Sequence, residues 1–172
     1  YFKILRDKDA WWFMFFYSVT FGGFVGLATS LTIYFNTQYG LDAQMAGFFT
    51  AACVFAGSLV RPLGGALADR VGGVKSLSVV YVVAALFLGI VSFGLPQAWM
   101  ALAVFMLAML SLGMGNGAVF QLVPQRFKKE IGVMTGLVGM AGGVGGFYLA
   151  SSLGYSKQLT GSYQAGFLIF AA

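Results

Sequence analysis

Arg61 lies inside an otherwise uncharged apolar stretch from Ala43 to Leu67, and it is the only ionisable side chain well inside such a stretch. An arginine at the centre of a membrane helix costs about 2.5 to 3.5 kcal/mol on insertion scales, so its presence needs a physical reason. One account is snorkelling, in which the long stem carries the guanidinium to the interface. The other is a water-filled cavity where the planar fork of the guanidinium binds an oxyanion. Pro62 follows directly and favours a local kink, because its ring frees the carbonyl of Ser58. Tyr17 and Phe120 fall at a similar depth to Arg61, and Tyr17 and Phe21 are four residues apart on one helix face. Asn116, in Gly113-Met114-Gly115-Asn116-Gly117, is either an interhelical hydrogen bond or a substrate contact. The chain has no histidine and one cysteine, Cys53, which leaves no set of metal ligands and no intramolecular disulfide. No nucleophile-base pair or phosphate-binding loop is present, so neither an enzyme nor a cofactor is expected.

The elements that position these residues follow from composition. Of the 172 residues, 59% are hydrophobic and 9% charged, with a mean hydropathy of +0.86. A soluble domain carries nearer a quarter charged residues, so the lipid bilayer is the expected solvent. A span needs about 20 apolar residues to cross the hydrocarbon. Spans are expected at about 11–35, 43–67, 76–93, 98–124, 131–153 and 163–172, the last truncated. The charge-free run from Ser76 to Gln125 is divided by the turn signal Gly94-Leu95-Pro96-Gln97. The chain opens at Tyr1 without methionine or a signal-peptide pattern, and it reads as an internal piece of a longer protein.

Basic residues set the expected topology. Lys3, Arg6, Lys8, Arg70, Lys75, Arg126, Lys128 and Lys129 fall on one side and Lys157 alone on the other. The positive-inside rule then places the start of the chain in the cytoplasm. Their scatter between apolar runs is not that of a nucleic-acid-binding face. In the fifth span Gly132, Gly136, Gly139, Gly143 and Gly146 are spaced 4, 3, 4, 3, with Gly142 and Gly145 beside them. Such a seam lets a neighbouring backbone approach closely and allows two packings to interconvert.

The segment GGALADRVGG, Gly64 to Gly73, resembles the cytoplasmic G-x-x-x-D-R-x-G-G motif of the major facilitator superfamily. Its Gly65, Asp69, Arg70, Gly72 and Gly73 are similar to that family's cytoplasmic gate motif. Together with FGGFVGLATSLTIYF, GMGNGAVFQLVPQRFKKE and TGLVGMAGGVGGFYLASSLG, it resembles the nitrate/nitrite porter family, in its C-terminal half of helices seven to twelve. The resemblance implies an all-α membrane protein and a transporter of nitrate or nitrite that works by alternating access. It implies anion binding by Arg61, lined by Tyr17, Phe21 and Phe120. It also implies that Gly136, Gly139, Gly142, Gly143 and Gly146 belong to the family's glycine signature helix, and that a partner N-terminal half supplies a second arginine. The competing readings are a carrier of another small monovalent anion and a non-transporting membrane module.

Overall fold

The computed structural model describes residues 4–171, so Lys3 of the topology argument and Ala172 of the sixth span lie outside the described residues. A short 3-10 turn, Ile4–Arg6, leads into α1 (Lys8–Tyr39), and six helices follow: α2 (Ala43–Leu59), α3 (Arg61–Val71), α4 (Gly73–Ser92), α5 (Ala98–Arg126), α6 (Ile131–Thr160) and α7 (Gln164–Ala171). Among the described residues, five stretches are long and apolar enough to cross a membrane, with α2 and α3 together forming one of them, Ala43–Val71.

Several helices run past the apolar residues because polar groups hold their ends. Asp7 accepts from the backbone N–H of Asp9, and Asp42 accepts from that of Met45 at 2.7 Å, so each satisfies an orphan donor of its first turn. Gly40, at φ 64°, closes α1 in the left-handed conformation that glycine adopts without strain. Residues 64–71, read from the sequence as part of a loop motif, are helical. Gly72 alone, at φ 95°, separates α3 from α4. The break beside Arg61 falls at Val60, and Pro62 sits in the first turn of α3, where its missing N–H removes no helical bond.

α5 is the central helix, touching α1, α2, α3 and α4, while α1 packs most extensively on α6. The broken helix meets α5 backbone to backbone. A Cβ at Gly64 would strike the Met114 carbonyl, one at Gly113 the Gly57 carbonyl, and one at Gly117 the Arg61 carbonyl. Four glycines, two on each side, thus bring α2 and α3 against α5 closer than any side chain would permit.

The α6 seam divides between two faces. Gly142, Gly145 and Gly146 lie against Tyr17, Ser18 and Val25 of α1, whereas Gly132, Gly136, Gly139 and Gly143 meet nothing within 4 Å among the described residues. The close approach expected of the whole seam is therefore made by its flank, Gly142 and Gly145, and by Gly146 at the end of the row. Residues 142 and 145 are rotated away from the 4, 3, 4, 3 row by the 100° step of the helix, and it is their side that α1 occupies.

If the Gly117 contact sets the α3–α5 distance, Gly117→Ala should destabilise the fold by about 1 to 3 kcal/mol through overpacking. Gly154→Ala, in open space, should change stability by less than about 0.5 kcal/mol. Thermal unfolding of the detergent-purified protein checks both.

Candidate anion-binding site

Arg61 opens α3 at the junction of α1, α3 and α5, where two buried apolar clusters meet. Phe24 belongs to one cluster, and Tyr17, with Phe21 packed beside it, to the other. The guanidinium carbon stands 4.7 Å from the Phe24 ring centre and 5.6 Å from that of Phe21. A cation so placed is attracted by the ring quadrupole, by about 0.5 to 2 kcal/mol depending on desolvation. Phe21 stacks on Tyr17 at 4.9 Å with 5° between the planes, and Phe120 of α5 meets Tyr17 edge-on at 4.8 Å. Arg61, Phe21, Tyr17 and Phe120 therefore form one continuous chain of contacts.

Gly142 makes room for that wall, since a Cβ there would come within 2.8 Å of both the Tyr17 and the Phe21 rings. Phe24 was not singled out by sequence reasoning. The signal available was its place three residues after Phe21 on the same helix face. Gly57 clears space for its ring, because a Cβ there would lie 2.6 Å from Phe24.

The electrostatics are one-sided. The ion pairs among the described residues are those of Arg126 with Asp9 at 2.6 Å and Asp7 at 3.2 Å, which tie the end of α5 to the start of α1. Asp69 accepts from Gln121, and Asp42 caps α2. No carboxylate pairs with Arg61 among the described residues, and its Nε is buried without a hydrogen-bond partner. Arg61 lies ten residues before Val71, the end of α3, so it is ~15 Å from that end at 1.5 Å per residue.

Phe120 is 37% exposed, so the site lies at the surface of this helical unit rather than in a closed cavity. Asn116 is 2% exposed, and neither its Oδ1 nor its Nδ2 has a partner. Of the gate-motif residues, Asp69 bridges to α5 through Gln121, Gly65 lies 3.5 Å from the Gly117 carbonyl as judged from a Cβ position, and Gly73 packs on Leu122. Arg70 is exposed, and Gly72 forms the link to α4. Gly136, Gly139 and Gly143 stand apart from the Arg61 contacts on the open face of α6. A separate cleft of about 610 Å³, lined by Phe15, Val19, Tyr81, Leu88, Val144 and Ile169 among others, is apolar and holds no charged side chain. It is unsuited to an anion.

Comparison with known proteins matches residues 1–150 to the family model of the major facilitator superfamily. The chain belongs to the major facilitator superfamily. Similar facilitators include a nitrite extrusion protein of Bacillus subtilis, 35% identical over 96% of this chain and 42% of the relative. A probable nitrate transporter of Staphylococcus haemolyticus is 33% identical over 98% of this chain and 44% of the relative. A probable nitrate/nitrite antiporter of Thermus thermophilus is 31% identical over 97% and 42% respectively. The chain thus spans less than half the length of these curated relatives, in keeping with one six-helix half of a facilitator.

Whether the Arg61 guanidinium faces a water-filled cavity or lipid can be read directly. In the full-length protein with buried Cys53 replaced by serine, a cysteine introduced by Arg61→Cys should react with a small charged thiol reagent. An inert thiol would show that position 61 faces lipid.

Proposed function

We propose that the protein containing this chain is a secondary transporter that moves nitrate, nitrite or both across the cytoplasmic membrane by alternating access, with Arg61 binding the anion on this half. The observation that carries the reading is a deep guanidinium with no carboxylate partner among the described residues, held against aromatic rings. The names of the similar facilitators support the choice of anion.

A planar monoanion fits two features of the site. Its oxygens match the parallel N–H groups of the guanidinium fork. Its flat faces are accommodated by the rings of Tyr17, Phe21 and Phe120, which offer no competing charge. A second arginine, supplied by the partner half across the exposed face, would repel Arg61 until an anion lies between them. Binding then permits the two halves to close, and rocking about the central site exposes the anion to the other side. The open row Gly136, Gly139 and Gly143 gives the opposing half a smooth surface on which to move. The excess of basic residues supports a cytoplasmic start of α1 and a cytoplasmic Asp69-Arg70 motif, where the Asp69–Gln121 bond braces α3 against α5.

The test is nitrate uptake by the full-length protein. Arg61→Ala should abolish it. Arg61→Lys, which keeps the charge but lacks the fork, should weaken it at least about tenfold, as expected for losing a charge-assisted hydrogen bond. Wild-type uptake by the lysine variant would refute the bidentate role. Efficient competition by formate or acetate would reassign the cargo to small carboxylates.

A further inference from the structure

Asn116 is the one asparagine on α5, and three contacts locate it. Its neighbour Gly117 lies against the Arg61 carbonyl, and Gly113, one turn back, against the Gly57 carbonyl. Phe120, one turn on and hence on the same helix face, meets Tyr17. The side chain is therefore buried on the side of α5 that Phe120 also occupies, facing α1. It is 2% exposed, and both polar atoms of the amide lack partners, so exchanging the amide O and N positions would leave it equally unsatisfied.

Buried amides in folded proteins almost always have partners. The junction of α1, α3 and α5 contains another unsatisfied group, Arg61 Nε. The two are chemically complementary, since Arg61 can only donate, whereas the amide both accepts and donates.

We infer that Asn116 is an anion-positioning residue. Its Oδ1 accepts from a water that in turn accepts from the Arg61 guanidinium once the anion is bound, which fixes the plane of the fork. Its Nδ2 donates to an oxygen of the bound anion. This inference rests on the reading of Arg61 as the anion-binding residue. It adds a rule of selection, because a neutral donor beside a guanidinium satisfies a planar oxyanion with several acceptor oxygens, whereas a spherical halide gains little from a directional second donor. Asparagine also leaves the positive charge of Arg61 intact, while an aspartate at this position would neutralise it.

The experiment is the half-saturating nitrate concentration for uptake by the full-length protein, with chloride as competitor. Asn116→Leu, of similar volume, is expected to raise that concentration about tenfold or more, to leave chloride inhibition unchanged and so to narrow the preference for nitrate. Asn116→Asp is expected to abolish uptake. Asn116→Ser, which keeps a small donor, is expected to fall between wild type and leucine, and it replaces the leucine variant in the test if that variant does not accumulate in the membrane. A packing role alone would lower the amount of protein without moving the half-saturating concentration, and that result overturns the inference. Loss of uptake in Arg61→Ala together with wild-type affinity in the Asn116 variants would sink this inference alone. Retained uptake in Arg61→Ala would sink the reading on which it rests.

Discussion

A positive charge at mid-depth in a helical bundle, without a carboxylate partner among the described residues, is the constraint to which the rest of this structure answers. Burial of an unpaired charge is among the least favourable events in folding, and a protein can offset it only with fixed dipoles, polarizable faces or access to water. Here Phe21 and Phe24 supply the faces. Arg61 itself is only half-buried, which leaves room for the access.

Glycine makes this arrangement possible by subtraction. Gly57, Gly64, Gly113 and Gly117 let α2 and α3 seat directly on the α5 backbone. Gly142 lets the Tyr17–Phe21 stack lie flat against α6, while Gly145 brings α6 onto Ser18. The guanidinium and its aromatic wall are positioned by backbones in contact rather than by long side chains. Such contacts have little slack, since a single added methyl group must move a helix.

Much of this was legible in the sequence. The all-helical membrane class follows from charge-free runs that no soluble surface could accommodate, and the facilitator resemblance from short motifs that the family comparison supports. The shared level of Arg61, Tyr17 and Phe120 came from counting residues along helices, because the rise of a helix is nearly constant. Rotation about the helix axis was harder to read. The 4, 3, 4, 3 row on α6 announces a smooth face but not its occupant, so the packing by Gly142 and Gly145 emerged only from the placement of α1. Phe24 was obscured for a related reason. Among 18 phenylalanines, nothing local marks the one whose ring lies over a charge on another helix. The extension of α3 through Asp69 and Arg70 was missed because charge was read as a loop signal, whereas the helix continues to Gly72.

The break at Val60 places the end of one half-helix and the start of another at Arg61. A joint between rigid segments is where bending is easiest, so the position proposed to bind the anion is also the position about which the two segments of this span can reorient. Recognition and mechanical compliance are therefore inherited together. A lineage that reshapes the neighbourhood of Arg61 to accept a different ion also retunes how readily the span flexes, and specificity and speed cannot drift independently at this place in the chain.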